Sequence, residues 1–412
     1  MVKEEGGVPI PIRFKRYGVV GVAFFHLAVS RGIHGVFGVF YVALLEAFGW
    51  SRAATAGAIS LQVIIEGLCF PFVGYLTDHF RPRRALILGG FVLALGLGLS
   101  ATVSSLWQLY LWLGLVTALG LTLIGQVPHV AILSREFPEH RGTVLGLAQA
   151  GAGIGILLLM PLSQIMIDAW GWRIAFAGLA GLTALLVIPS ALIHTAPASR
   201  RSVAPAVWAE KETYWTVSRA LRTSVFWLLF GSRVLGHMGN NILVMHQMAH
   251  ATDVGYSKLF AASILGLLGF FSFIGRLLFG YLADRVRKEF VFTWVQTVSI
   301  LGIVALLALR DSSHPELLYA YAFLYGLGQG SRVVVFSAIS ADLFLGSSFG
   351  AIYGYFTLSQ SIGGAFGAWL GGFLHDVTGS YFIAFLISIL SFFVSTVSVW
   401  TVLGMGKTIE VK

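Results

Sequence analysis

Long apolar segments follow one another along almost the whole chain, separated by short polar loops. A helix needs about 20 apolar residues to cross the hydrocarbon core of a bilayer. Hydrophobic residues make up 57% of the chain and charged residues only 11%, whereas soluble domains carry about 25% charged residues. The pattern therefore predicts an all-α integral membrane protein. It leaves no segment for a soluble catalytic domain, so we do not expect an enzyme.

The apolar segments predict twelve transmembrane helices, whose boundaries are loose by several residues. The predicted helices cover residues 17–45, 53–77, 85–104, 106–133, 142–167, 174–195, 223–250, 259–283, 290–309, 316–341, 350–375 and 380–403.

Lys and Arg residues are distributed unequally between the loops on the two sides of the predicted helices. Nineteen fall on the side that holds both termini and the 196–222 loop, and four fall on the other side. The positive-inside rule places the richer side in the cytoplasm. We therefore expect a multi-pass protein of the inner (plasma) membrane with both termini cytoplasmic. The net charge of +9 then reflects contact with a lipid bilayer, and no nucleic-acid partner is expected.

An internal repeat relates the first half of the chain to the second half. The segment Gly74-Tyr-Leu-Thr-Asp78 matches Gly280-Tyr-Leu-Ala-Asp284 at an offset of 206 residues. Further glycines match at an offset of 206 or 208, namely the pairs Gly49 and Gly255, Gly146 and Gly354, Gly155 and Gly363, and Gly171 and Gly379. Parallel six-helix repeats are typical of one class of transporters.

The only long polar interruption lies between the repeats, and it divides the chain. We predict an N-terminal six-helix half over residues 1–195, a cytoplasmic linker over 196–222 and a C-terminal six-helix half over 223–412.

The loop after the second predicted helix resembles the signature loop of the major facilitator superfamily. The residues that carry this resemblance are Gly74, Asp78 and Arg83, and the loop after the eighth helix repeats them as Gly280, Asp284 and Arg285. The resemblance implies the major facilitator fold. It also implies a gating motif in which the aspartates and arginines bridge the cytoplasmic helix ends in one conformation.

Three further stretches resemble the monocarboxylate transporter branch of that superfamily and its bacterial relatives, the oxalate/formate exchangers. They are 137–151 at the start of the fifth helix, His246-x6-Asp253 in the seventh, and Gly275-Arg276 in the eighth. In that branch, the arginine of the eighth helix binds the substrate carboxylate. The exchangers also use a lysine in helix 11, and the predicted helix 350–375 contains none.

Arg276 is a candidate substrate ligand on physical grounds as well. It lies eight residues before Asp284, about 12 Å along a helix, which places it near the middle of the bilayer. A charge at that depth is expensive and normally faces a polar cavity. Gly269, Ser272 and Gly280 fall on the same helix face, so we expect Ser272 to line the cavity too.

The repeat supplies a control for Arg276, because Phe70 occupies the equivalent position in the first half. Symmetry therefore does not require a cation there. A guanidinium matches a carboxylate with two parallel hydrogen bonds. The alternatives are an arginine that extends to the membrane surface and a structural pair with Glu66.

Proton coupling has two candidates. Glu66, deep in the second helix, is either a partner for an arginine or a proton carrier, and we expect structural pairing to be its main use. His246 can change charge near neutral pH, and its position in the branch makes it a candidate for both proton and substrate binding.

Other side chains complete the predicted cavity. His34, Tyr353 and Phe356 are predicted to contact the substrate, and Arg31 and Arg332 to line the same space.

These features predict a secondary active transporter of small monocarboxylates such as lactate or pyruvate, working by proton symport and alternating access. A carboxylate exchanger is the alternative, and a sensor without flux and a multidrug exporter are more distant ones. We expect a small organic anion and protons as partners, a monomer, and no cofactor or metal.

Overall fold

The structure is a computed structural model that describes residues 10–80, 82–193 and 215–409. Throughout these ranges the chain is helical, and it contains no strand. The membrane helices are α1 (Ile10–Phe48), α2 (Arg52–His79), α3 (Pro82–Ser100), α4 (Leu106–Glu136), α5 (141–170), α6 (172–193), α7 (Ser224–Asp253), α8 (Lys258–Ala283), α9 (Lys288–Leu307), α10 (Pro315–Phe344), α11 (Phe349–Thr378) and α12 (Phe382–Ile409). The predicted fold class and the twelve helices are confirmed.

Nine segments of the described chain are long and apolar enough to span a membrane. One of them, Arg141–Ala191, contains both α5 and α6, because Gly171 breaks the helix with a φ of 79°. The segments α7 and α11 fall outside this set. The first carries many polar side chains, including Arg233 and His237, and the second contains seven glycines among its 30 residues.

Four glycines with positive φ explain part of the internal repeat. Gly49, Gly171, Gly255 and Gly379 follow α1, α5, α7 and α11, and they are the only residues of the described chain with this conformation. The left-handed region is readily accessible only to glycine. The matching pairs therefore end corresponding helices of the two halves in the same way.

The fourth helix is irregular next to the centre of the molecule. A π-helical turn covers Tyr110–Thr117, and the helix breaks at Ile124 and Gly125 before it resumes at Gln126. Pro128 accounts for the break, because proline lacks an N–H and its ring clashes with the carbonyl four residues earlier. The break turns Gln126 toward the interior between the two halves.

Three apolar clusters form the core of the described chain. One lies within α1–α6, a second lies within α7–α12, and the third contains residues of both halves. The predicted linker 196–222 lies outside the described residues up to position 214. Beyond that point, Val217–Leu221 forms a short helix, and Trp215 packs against Phe344 of α10.

Candidate functional site

A cavity of about 990 Å³ lies between the two halves. All four arginines inside the apolar helices line it: Arg31 of α1, Arg233 of α7, Arg276 of α8 and Arg332 of α10. The other polar lining residues are uncharged amides, hydroxyls and one histidine, namely Gln126, Gln149, Ser232, His237, Asn240, Ser272, Gln296, Gln329, Gln360 and Ser395. Within the described chain, no Asp or Glu lines this cavity. The site is therefore strongly cationic and suited to an anion.

Arg276 reaches across from α8 to the other half. Its Nη1 donates a hydrogen bond of 2.5 Å to the carbonyl of Gln149 in α5. Its own carbonyl lies against Gly146, where a Cβ atom would stand only 2.4 Å away. Ser272, one turn earlier, is buried and also lines the cavity. The close approach at glycine thus holds the backbone of Arg276 against α5.

The carbonyl contact repeats in the other half. Phe70, the equivalent of Arg276, has its carbonyl 2.3 Å from the Cβ position of Gly354, and Gly354 is the equivalent of Gly146. The backbone packing is therefore symmetric, whereas only the C-terminal half places a cation at this position.

Arg233 and Arg332 are fixed within the C-terminal half. Arg233 donates from Nη2 to Gln360 at 3.2 Å. Arg332 donates from Nη2 to the Oδ1 of Asn240 at 3.0 Å and to the hydroxyl of Tyr325 at 3.3 Å.

Several donors at the cavity have no partner within the described chain. They are Nε and Nη1 of Arg233, Nη1 of Arg332 and Nε2 of Gln149, all of them buried. Buried polar groups in native proteins are nearly always hydrogen-bonded, so an unpaired set of this kind calls for an explanation.

Glu66 lies in a small pocket next to the main cavity. Its Oε1 accepts hydrogen bonds from Gln62 at 2.9 Å and from His34 Nδ1 at 3.2 Å. Arg31 and Gln126 line both this pocket and the main cavity. The buried carboxylate is thus one side chain away from the space where an anion would bind.

On one side of the molecule, Asp78 joins the two halves. Its carboxylate, on α2, accepts hydrogen bonds from the backbone amides of Gly350 at 2.9 Å and Ala351 at 2.8 Å, at the N-terminus of α11. It also pairs with Arg135 at 2.5 Å. A carboxylate at a helix N-terminus is favoured by the free amides and the helix dipole.

The repeat builds the same junction from the other half. Asp284, at the end of α8, accepts hydrogen bonds from Gly142 at 2.6 Å and Thr143 at 2.7 Å, at the N-terminus of α5. A third link joins Asp342 of α10 to Arg141 at 2.6 Å and to Lys288 at 2.7 Å.

The halves separate on the opposite side of the cavity. A Cβ atom on Gly142 or Gly146 of α5 would collide with α8. Farther along the same pair of helices, Gly153, Gly266 and Gly269 have no neighbour within 4 Å of the Cβ position. The cavity therefore widens away from the side that carries Asp78 and Asp284.

A family comparison agrees with this architecture. The sequence model of the Major Facilitator Superfamily matches residues 22–309 and 238–408 of this chain. The chain belongs to the Major Facilitator Superfamily. It is 30% identical over 374 residues to monocarboxylate transporter 13 of Bos taurus, covering 90% of this chain and 85% of that protein. It is 31% identical to human monocarboxylate transporter 11, covering 90% and 79%. The predicted membership of the monocarboxylate transporter-like branch is confirmed.

Solved structures of the superfamily share the fold. The Escherichia coli fucose:proton symporter FucP aligns with a TM-score of 0.73 at 16% identity, covering 94% of this chain and 98% of that one. The proton:xylose symporter XylE aligns with a TM-score of 0.76 at 13% identity, covering 94% and 96%. The family match and the relatives named monocarboxylate transporters show that the protein is a multi-pass membrane transporter and not an enzyme, as predicted.

The predicted site residues of this facilitator do not all line one cavity. Arg276 and Ser272 line the main cavity, and His34 lies in the pocket of Glu66. Glu66 does not pair with Arg276, which was one of the predicted alternatives, because it pairs with His34 instead.

The two aromatic candidates lie behind the cavity wall. Tyr353 is fully buried, and its hydroxyl accepts a hydrogen bond of 2.5 Å from Gln126 and lies 2.7 Å from the Ser337 Oγ. Phe356 is also fully buried and packs against Phe336, which does line the cavity. Both support the wall from outside and have no surface in the cavity.

His246 lies apart from Arg276. Its Nε2 is 3.1 Å from the carbonyl of Ala368, and its ring stacks on Tyr381 near the open end of the helices. The histidine of α7 that does line the cavity is His237, which was not among the predicted site residues.

Neither of the two motif arginines forms an ion pair with the aspartates within the described chain. Arg83 is exposed and makes no ion pair within the described chain, and Arg285 stacks on Tyr281 at 4.2 Å. Arg135, at the end of α4, provides the cation for Asp78. The sequence prediction named Arg83 and Arg285 as the arginines of the gating motif, and the helix packing brings a further arginine, Arg135, to Asp78.

Proposed function

We propose that this facilitator carries small monocarboxylates, such as lactate or pyruvate, across the inner (plasma) membrane together with a proton. The observation that supports this proposal is a cationic cavity between two six-helix halves, with Arg276 at its boundary and no acidic lining residue in the described chain. Relatives named monocarboxylate transporters support the same substrate class.

Arg276 is the proposed ligand of the substrate carboxylate. One of its terminal nitrogens binds Gln149, and the guanidinium still offers further N–H groups to the cavity. A guanidinium binds a carboxylate with two parallel charge-assisted hydrogen bonds. Because the arginine remains charged at every physiological pH, it keeps an affinity for anions in both conformations of the cycle.

Alternating access would occur by rocking of the two halves. With both termini cytoplasmic, as the distribution of Lys and Arg indicates, the junctions at Asp78 and Asp284 close the cytoplasmic side. The described conformation then faces outward. Opening of these junctions would expose Arg276 to the cytoplasm.

A proton compensates the charge of the carried acid. Transfer of an anion alone would move an unbalanced charge through the membrane field, and one proton makes the loaded step electroneutral. The pair of Glu66 and His34 is the proton site that the geometry supports best, since Arg31 connects it to the cavity. An ionised Glu66 and a bound anion repel each other, so protonation of the pair and anion binding favour one another. His246 remains the alternative proton carrier.

Exchange of one carboxylate for another is the second candidate function. The observation that favours it is the surplus of four arginines at one cavity, which can hold an anion without any proton. In an exchanger the site would cross the membrane loaded in both directions.

Uptake of radiolabelled lactate and pyruvate into proteoliposomes decides between these functions. Symport predicts accumulation driven by an inward proton gradient and its loss when a protonophore is added at fixed external pH. Uptake that needs internal carboxylate and ignores the gradient would establish the exchanger. Failure to take up or exchange any carboxylate would contradict both.

A further inference from the structure

Arg233 and Arg332 line the main cavity, but their environment differs from that of Arg276. Each is more than nine-tenths buried, with 3% and 8% of its surface exposed. Neither has a carboxylate within ion-pair distance in the described chain. Arg233 and Arg332 are therefore two buried cations without an acidic partner in the described chain.

The hydrogen bonds of these two side chains leave donors free. Nε and Nη1 of Arg233 and Nη1 of Arg332 are buried without an acceptor in the described chain. A buried donor without a partner is destabilising by about 1–3 kcal/mol, and more when the group is charged. These donors lie at the cavity, where water or the oxygen atoms of a bound anion can accept their hydrogen bonds.

Aromatic rings support the flat faces of both guanidinium groups. Arg233 lies over Phe336 at 4.6 Å, and Arg332 lies over Phe392 at 4.2 Å. Stacking occupies the face of a guanidinium and leaves its in-plane N–H groups available. The free donors are therefore held in fixed positions, as binding of an oxyanion requires.

The four arginines form two groups around the cavity. Arg233 and Arg332 carry the unpaired donors and bond to Gln360 and Asn240 in the C-terminal half, whereas Arg276 bonds to α5. Arg233, Arg332 and Arg31 all act electrostatically on His237. His237 also lines the cavity, so it can contribute a hydrogen bond beside the two arginines. One group is built by α7 and α10, and the other lies at the contact of α8 with α5.

We propose that Arg233 and Arg332 form a second anion subsite, through which the cavity also binds acids that carry an oxyanion at each end of the molecule. This inference rests on the proposed carboxylate function, in which Arg276 holds the first carboxylate. The cavity of about 990 Å³ lies at the upper end of the usual range for small-molecule sites, about 300–1,000 Å³. It therefore has room for a small diacid.

The test compares two ligands of equal length that differ by one charge. Succinate carries two carboxylates, and succinamate carries one carboxylate and one neutral amide. Binding of each is measured by titration calorimetry to the full-length protein in lipid nanodiscs. We expect the unmodified protein to bind succinate at least tenfold more tightly than succinamate. Equal affinities would overturn the second subsite, since this comparison does not depend on any variant.

Three single variants then locate the effect. Arg233→Gln and Arg332→Gln should bring the ratio of the two affinities toward one, because each removes part of the subsite. Arg31→Gln removes the same charge from α1 and should lower the ratio less than either of these variants, because Arg31 is only partly buried and lies beside the pocket of Glu66. An equal collapse of the ratio in Arg31→Gln would mean that the total charge of the cavity, and not this pair, recognises the second group, which would contradict the proposal.

The outcome also separates this inference from the function on which it rests. Binding of both ligands with equal affinity would refute only the second subsite. Binding of neither ligand, nor of lactate, would refute the carboxylate function and the subsite with it.

Discussion

The carboxylate of Asp284 on α8 accepts a hydrogen bond of 2.6 Å from the backbone amide of Gly142, at the first turn of α5. Asp78 on α2 binds Gly350 in α11 in the same way at 2.9 Å. Each half thus caps a helix of the other half. These two contacts hold closed the side of the molecule on which the cavity does not open.

The first prediction concerns the strength of this closure. Asp284→Asn and Asp78→Asn each remove a charge-assisted contact at a helix N-terminus, which is worth about 1–2 kcal/mol in partly buried geometry. The equilibrium between closed and open forms should shift by about 5–30-fold toward opening on this side.

The measurement is the distance between spin labels at Arg83, in the first turn of α3, and Arg285, in the loop after α8, in a background with Cys69→Ser; both positions are exposed. Both aspartate variants should populate longer distances. Asp376→Asn, at an exposed aspartate at the other end of α11, serves as the control. An unchanged distance distribution in all three variants would show that the aspartates do not hold this side closed.

The second prediction concerns the glycines at the same junction. A Cβ on Gly74 would stand 1.9 Å from the carbonyl of Gly350, which no real contact allows. Gly74→Ala should therefore prevent closure and lower transport at least tenfold while the protein still inserts. Gly181→Ala is the matched control, because Gly181 of α6 has no neighbour within 4 Å of its Cβ position. Initial rates of uptake in proteoliposomes measure both, and normal rates in Gly74→Ala would contradict the closure geometry.

The third prediction separates the two proton candidates. Glu66→Gln keeps the size of the side chain and removes its charge, so the drive by an inward proton gradient should be lost while exchange without a gradient continues. His246→Gln should retain the drive, because His246 does not line the cavity. Gradient-driven and counterflow uptake of the two variants are compared at equal protein density. Loss of the drive in His246→Gln alone would assign the proton to His246, and an unstable Glu66→Gln protein with intact coupling would assign Glu66 a structural role.

Sequence reasoning predicted the helices because lipid imposes a simple rule. Apolar segments of sufficient length and the repeated Gly74 and Gly280 were visible directly in the chain. The break of α4 at Gly125 was not predicted, although Pro128 is its physical cause. A proline in a membrane helix is often accommodated, so its presence alone does not reveal where the backbone turns.

The candidate site was predicted only in part, for a geometric reason. Spacing along a helix tells which residues share a face, but it does not tell toward which neighbour that face is turned. Tyr353 and Gln360 lie seven residues apart on one face of α11, yet Tyr353 is sealed behind the wall and Gln360 lines the cavity. Arg276 could be chosen because Phe70 replaces it in the repeat. Arg233 shows the same contrast between the halves, because Leu27 stands at its equivalent position. It was nevertheless not predicted as a substrate ligand.

Saturable uptake of radiolabelled lactate by Arg276 variants in proteoliposomes tests the central claim most directly. Arg276→Lys keeps the charge and loses the paired geometry, and Arg276→Ala loses both. Hydrogen bonds to charged groups contribute about 1.5–3 kcal/mol, so we expect uptake at limiting lactate to fall about ten- to hundredfold in Arg276→Lys, and further in Arg276→Ala. Arg173→Lys, at an arginine that stacks on Trp172 outside the cavity, is the control and should transport normally. Near-normal saturable uptake by Arg276→Ala would contradict the assignment of Arg276 as the carboxylate ligand.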